Sequence, residues 1–352
     1  MKTEVLIIGG GFAGVTAAQA LQKQGIQTLL IDRKDYFEVT YAVLRDVAAP
    51  SKHNGQARKQ YHALLSGQFI QATVTELLPA KALLCDGRQV QFDKVIIASG
   101  SRYSSLPLAK SDNALSLTQR RDELERYHTE LKAASQVLII GGGVVGVELA
   151  GELAYAMPHL NIILAHKNGD LLDGFKLKAR RKALHQLEQA GVEVRLNADY
   201  QAINEGYQDK NSGRLLTPDR VFLATGTRPN NDFLRPSLSH ILNDQGLVKV
   251  DDYLQVVGSQ NAFALGDIAD VGEAKLGYLA VEQGKYLADL ITQQYREKRI
   301  KAYKRHPFMA LVPTGQKTGV VQLPFMVSSC KALVNLKQKD LFISKTFKTF
   351  SA

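Results

Sequence analysis

The chain has 352 residues, 45% apolar and 22% charged, which excludes wholesale disorder and a lone small module and suggests two domains. Its two cysteines, Cys85 and Cys330, are far apart with no second thiol near either, which excludes a disulfide framework and any CxxC motif and favours a reducing compartment. The net charge of +10 sits in the tail: residues 295–352 carry twelve Lys and Arg against Glu297 and Asp340, which suggests an anionic partner surface, membrane or nucleic acid.

From the N-terminus, Met1-Lys2-Thr3-Glu4 runs directly into the apolar strand Val5–Ile8, leaving no room for a signal peptide, and Lys2 stands where N-myristoylation needs glycine. Gly9-Gly10-Gly11-Phe12-Ala13-Gly14 follows as GxGxxG between that strand and a helix with small residues on one face. The first glycine makes the tight turn, the second lets backbone approach a pyrophosphate, and the third packs helix on strand. The helix N-terminus then holds the anion. A buried strand, Thr28–Ile31, ends in Asp32, a carboxylate suited to ribose hydroxyls, so this unit is expected to bind an unphosphorylated ribose, as in FAD. Glu38 and Tyr41 in the next loop are pocket candidates or plain surface positions. Cys85 falls in a hairpin strand before Asp86-Gly87, and it and Cys330 are expected to be apolar fillers.

Val5–Gly11 recurs letter for letter as Val137–Gly143, with Gly146 matching Gly14, and Val95–Gly100 is echoed by Val221–Gly226. Two copies point to two related nucleotide-binding units, not to an array. The second unit's strand, Asn161–Ala165, ends in His166-Lys167 with no carboxylate. That site lacks the usual repulsion of a 2′-phosphate and offers two cationic contacts, so NADPH is expected alongside NADH; simple solvated loop residues are the other reading. Further on, Asn261–Asp267 is a strand closing in Gly266-Asp267, and a helix begins near Leu276. Its apolar seam (Leu279, Ala280, Leu287, Leu290, Ile291) is interrupted by Gln283, either a satisfied core amide or a cofactor-site residue. No stretch reaches the roughly 18 apolar residues of a membrane span. Between Phe325 and Leu336, Val327, Cys330, Leu333, Val334 and Leu336 are expected near one helical face, with Lys331 and Lys337 toward lipid headgroups; completion of a core is the alternative. No HExxH, GxSxG or Cys/His cluster points to a metal or a side-chain nucleophile.

These motifs, with Ala42-Val43-Leu44-Arg45, Gly146-Val147-Glu148-Leu149-Ala150, Tyr278-Leu279-Ala280 and Asp340-Leu341-Phe342-Ile343-Ser344, resemble the ferroptosis suppressor protein branch of the two-dinucleotide-binding-domain flavoproteins. That branch comprises apoptosis-inducing-factor-like NAD(P)H:quinone oxidoreductases related to type II NADH dehydrogenases, and the likeness covers nearly the whole chain. It implies an α/β fold of two Rossmann-like domains, glutathione-reductase-like, plus a short basic C-terminal region. Residues 1–112 and 229–294 would form the FAD domain, 113–228 the NAD(P)H domain, and 295–352 a region docking to membrane or quinone.

By the same resemblance, Gly9, Gly10, Gly11, Phe12, Ala13 and Gly14 would hold the FAD pyrophosphate, and Asp32 with Lys34 the adenosine ribose. Arg45 and the strand around Ala72 would contact FAD, and Asp267 its ribityl or pyrophosphate region. Gly141, Gly143 and Gly146 would hold the NAD(P)H pyrophosphate, with His166 and Gly226 completing the cofactor-binding set. Glu148 near the nicotinamide, Gln283, and Lys337 before Asp-Leu-Phe are the catalytic candidates. The helix near Leu276 would aim its positive end at the flavin.

The implied enzyme passes hydride from NAD(P)H to FAD and then to a membrane quinone. It would be cytoplasmic and peripherally bound, unlipidated given Lys2, with a homodimer left open. Disulfide and sulfide:quinone reductases need thiols at the flavin, and the segment Asp35 to Asp46 has none. A ferredoxin or rubredoxin reductase and a nucleic-acid-binding redox sensor are the alternatives; the tail's apolar content disfavours nucleic acid.

Overall fold

The computed structural model describes residues 1–50 and 55–351. The chain opens with β1 (Lys2–Ile8), α1 (Phe12–Lys23) and β2 (Thr28–Asp32), the strands running parallel from Val5 opposite Thr28 to Ile8 opposite Ile31. Val5, Leu6 and Ile7 are completely buried, as a continuous apolar run must be in a parallel strand covered on both faces. After α2 (Val43–Ala48), β3 (Gln68–Gln71), the hairpin β4 (Val74–Leu78) and β5 (Lys81–Leu84), and β6 (Gln89–Ile97), the sheet order is β3-β2-β1-β6-β5-β4.

The second unit repeats the plan. A capping box, in which Ser116 accepts the Gln119 N–H and the Gln119 side chain accepts the Ser116 N–H, starts α3 (Leu117–Ala133). It is followed by β7 (Gln136–Ile140), α4 (Val144–Ala156), β8 (Asn161–Ala165), α5 (Leu177–Gln189), β9 (Glu193–Arg195) and β10 (Arg220–Leu223). The sheet β9-β8-β7-β10 is parallel throughout. The two crossings between units pair antiparallel, Arg102 opposite Arg228. Then β11 (Ala262–Ala264) returns to pair with the C-terminal half of β6, and α6 (Gly277–Tyr295) packs on α1. That packing is close: a Cβ on Gly284 would lie 2.7 Å from the Ala13 carbonyl oxygen.

Core membership departs from the expected boundary at residue 112. Val43, Leu44 and Val47 of α2 pack with Leu131, Val147 and Leu149 in the second unit's core. A short amphipathic helix goes where its apolar face finds cover, whatever its place in the chain.

The tail departs further from expectation. It forms β12 (Ala310–Pro313), β13 (Gly319–Gln322), β14 (Val327–Ser328), α7 (Lys331–Gln338) and α8 (Ile343–Ser351). Val312 and Val320 join the second core, while Leu341, Ile343, Phe347 and Phe350 join the first. Gly151 of α4 lets β12 approach: a Cβ there would overlap the Thr314 backbone. The tail is therefore a brace across both units, and the single helical face expected from Phe325 to Leu336 does not form. Val327 is in a strand, and α7 buries Val334 and Lys337 while Leu336 points outward, 64% exposed. Cys85, at the hairpin turn, and Cys330 are both exposed, so neither fills a core.

Candidate functional site

Each sheet ends at its carboxyl edge in a glycine turn. Gly9 and Gly141 have φ of +105° and +119°, and a Cβ on either would overlap the backbone of Ala98 or Ala224. Gly14 and Gly146 lie against the carbonyl oxygens of Gly9 and Gly141 with no room for a methyl group. In contrast, a Cβ on Gly11 or Gly143 would meet nothing within 4 Å. The outer glycines serve the fold, and the middle of each turn is open to a ligand at a helix N-terminus, which fits a dinucleotide pyrophosphate. Gly226 has φ of +111° and open space beside it.

The middle residue of each turn is clamped through both its N–H and its carbonyl. In the first unit the Gly10 N–H donates to Asp32 Oδ2 at 2.6 Å, and the buried Tyr61 hydroxyl donates to the Gly10 carbonyl at 2.9 Å. Asp32 Oδ1 accepts the Lys34 N–H and its carbonyl accepts the N–H of buried Ala72, fixing the strand end where a ribose would lie. In the second unit the Gly142 N–H donates to His166 Nδ1 at 3.1 Å, and Gly142 accepts the Leu172 N–H. His166 is buried and its Nε2 lies 3.3 Å from Asp173 Oδ2. It is thus neither a solvated loop residue nor a spare cationic contact: one ring nitrogen serves the backbone, and the other faces a carboxylate.

Around the first turn, Phe12 stacks on Tyr41 with centroids 5.3 Å apart, and the first residue of α6, Gly277, lies against both rings. The expected helix end is therefore at this turn. Asp267 Oδ2 accepts from Ser101 at 2.6 Å and Lys110 at 3.0 Å. Burial pushes the Asp267 carboxyl up, but Lys110 and these hydrogen bonds outweigh it and hold it below the usual range. Gln283, beside Asp267 in the cleft wall, accepts the Gly266 N–H and donates to Glu273, so it is a satisfied amide that positions Gly266.

Glu148 on α4 and Lys337 on α7 meet at 3.0 Å, both buried, and Lys337 also donates to the Leu311 carbonyl. Burial raises the Glu148 carboxyl above its ordinary value, and Lys337 offsets only part of that. The Lys337 ammonium lies 5.8 Å from the ring of Tyr41, which stacks on Phe12 of the first turn, and Glu148 is on the helix that follows the second turn. Lys337 is consequently not directed to lipid. Arg45, expected beside the flavin, spends its guanidinium on Glu152 and on the Gln338 carbonyl and side chain at 3% exposure. It ties α2, α4 and α7 together, because a buried guanidinium needs a carboxylate within reach. Glu38 is likewise no pocket residue: it is buried between Arg58 at 2.6 Å and Arg120 at 3.0 Å. Tyr61, Lys110, Ser101, Glu152 and Asp173 were not legible in the sequence, since each meets its partner across loops with no periodic signal.

Two open glycine turns, each at the carboxyl end of a parallel strand in its own sheet, define an FAD- and NAD(P)H-dependent oxidoreductase with two dinucleotide-binding units. The chain belongs to the pyridine nucleotide-disulphide oxidoreductase family, whose model matches residues 3–284, and within it to the ferroptosis suppressor protein branch. It is 32% identical to ferroptosis suppressor protein 1 of Xenopus tropicalis over 99% of this chain and 96% of that protein. It is 30% identical to that of Homo sapiens over 98% and 95%. The sulfide:quinone oxidoreductase from the hyperthermophilic bacterium Aquifex aeolicus shares its fold, with a TM-score of 0.80 at 17% identity, covering 99% of this chain and 92% of that one.

Proposed function

We propose that the chain passes electrons from NAD(P)H through FAD to a quinone at an anionic lipid surface. The observation that carries this reading is the buried Glu148–Lys337 pair, which joins the helix of the second turn to the tail, in a chain whose only cysteines are exposed. Bound FAD supplies two-electron exchange between the reductant and the acceptor. The first turn with Asp32 binds one dinucleotide, and the second turn binds the other. Lys337 fixes the Glu148 carboxyl at 3.0 Å, and Glu148, its carboxyl raised by burial, is placed to hold a proton there.

Docking is assigned to the exposed tip Phe325-Met326, 83% and 37% accessible, and to Leu336, with Lys331 and Lys339 exposed nearby in sequence. Exposed apolar tips among lysines match a headgroup boundary. Each lysine near an anionic surface contributes on the order of 1 kcal/mol. Among the described residues no helix is long and apolar enough to cross a membrane.

Anaerobic spectra of the purified protein test the chemistry. NADH is expected to bleach the flavin and a short-chain quinone to restore its colour; restoration by a ferredoxin alone would favour the electron-transfer-protein reading. Replacing Lys331, Lys339 and Lys345 with Gln is expected to weaken sedimentation with anionic liposomes while leaving turnover with a water-soluble quinone intact.

A further inference from the structure

We propose that Asp173 reads the 2′ position of the nicotinamide dinucleotide and makes NADH the preferred reductant. This rests on the reading above that NAD(P)H occupies the second glycine turn. The register equates His166 with Asp32: Ile8 lies opposite Ile31 and Ile140 opposite Ala165, so each residue is the first beyond the pairing with the opening strand of its unit. Both accept the N–H of the turn's second glycine, Asp32 through a carboxylate oxygen and His166 through Nδ1. With Nδ1 accepting, the ring proton is on Nε2 and is donated toward Asp173 Oδ2 at 3.3 Å. The carboxylate that the strand end lacks is therefore supplied from the following loop, one imidazole further out.

The loop holds it firmly. Asn168 donates to Asp173 Oδ2 at 2.8 Å, and the Leu172 N–H donates to the Gly142 carbonyl at 2.8 Å. Leu171 and Leu172 are 1% exposed, and Leu172 keeps a left-handed φ of +55°, a conformation a bulky residue tolerates only when its surroundings fix it. The Asp173 side chain itself is 55% exposed and so accessible to a ligand in the turn. A carboxylate there accepts ribose hydroxyls and repels a 2′-phosphate. Among the nearby cations, Arg180 faces Asp170 at 3.6 Å, and the exposed Lys167, next in the chain after His166, is the cation best placed by sequence to favour the phosphate.

The test titrates the FAD-loaded protein with ADP-ribose and with 2′-phospho-ADP-ribose by calorimetry, and follows anaerobic flavin bleaching by NADH and NADPH with no acceptor present. The wild type is expected to favour the unphosphorylated ligand at least tenfold in both readouts. Asp173→Asn should narrow that ratio to within threefold, and Asp173→Glu should keep most of it. Equal affinities in the wild type, or an unchanged ratio in Asp173→Asn, overturn the proposal. A wild-type preference for the phosphorylated ligand overturns it in favour of Lys167. Binding of neither ligand overturns the reading of the second turn as well, whereas binding without discrimination overturns the role of Asp173 alone. Because no quinone enters the experiment, the identity of the acceptor does not affect its outcome.

Discussion

The two glycine turns clamp the corresponding residue, Gly10 or Gly142, with different atoms. In the first, Asp32 and the Tyr61 hydroxyl take the Gly10 N–H and carbonyl; in the second, His166 and the Leu172 N–H do this for Gly142. The turn needs an acceptor at the strand end, and a carboxylate or an imidazole serves equally. Charge at that position is therefore free to be set by the ligand. The buried glutamates show the same contrast. Glu38, in the first unit, lies between two arginines that overcome the cost of burial and lower its carboxyl to about 2. Glu148, in the second, faces one lysine, and burial prevails.

The largest effect should come from filling the turns. Gly14→Ala and Gly146→Ala each place a methyl group on a carbonyl oxygen of their own turn. Gly14→Ala is expected to purify without flavin or fail to fold. Gly146→Ala should keep its flavin but lose at least a hundredfold in reduction by NADH, roughly 2.7 kcal/mol. The flavin-to-protein absorbance ratio separates the two, and loss of flavin from Gly146→Ala would show that the units are not independent.

A smaller effect is expected at Glu38. Its folded value lies below its unfolded one, so its ionised form stabilises the fold above about pH 4.5, and that contribution fades as pH falls toward about 2. Glu38→Gln should cost roughly 3 kcal/mol at neutral pH, from about 2.5 units at 1.36 kcal/mol each. Denaturation midpoints of the variant and the wild type should converge in acid. A gap that persists at pH 2 would assign the loss to packing.

The smallest effect sharpens the comparison itself. Asp32→Asn keeps an acceptor for Gly10 but removes the charge, and should weaken FAD binding about tenfold, ~1.4 kcal/mol. His166→Asn keeps an acceptor for Gly142 and leaves the Asp173 carboxylate in place, and should change ADP-ribose binding less than threefold. Equal losses in the two variants, measured by calorimetry, would show that the strand-end residues do the same work in both units.

Much of this was legible in the residues because it is local. Val5–Ile8 and its copy Val137–Ile140 are uninterrupted apolar runs, the glycine spacing follows at once, and strand, turn and helix depend on neighbours within about fifteen residues. The α6 seam is legible in the same way, with Gln283 as its one polar interruption. Arg45 and the tail are less legible. An arginine in a short helix carries no sign of the partner it will meet, and twelve positive charges conceal that Lys337 is buried on Glu148.

The sequence by itself determined the two strand–turn–helix units, the two turns and the residue at each strand end, because periodicity and steric necessity act over short spans of chain. Only the tertiary structure decided which charges face one another. Glu148 meets Lys337 across 189 residues and Arg45 meets Glu152 across 107. Asp173 reaches His166 through a loop that is fixed only because Gly142 and the Leu171–Leu172 packing hold it. Desolvation sets the energy of each such charge, and desolvation depends on what the rest of the chain places around it.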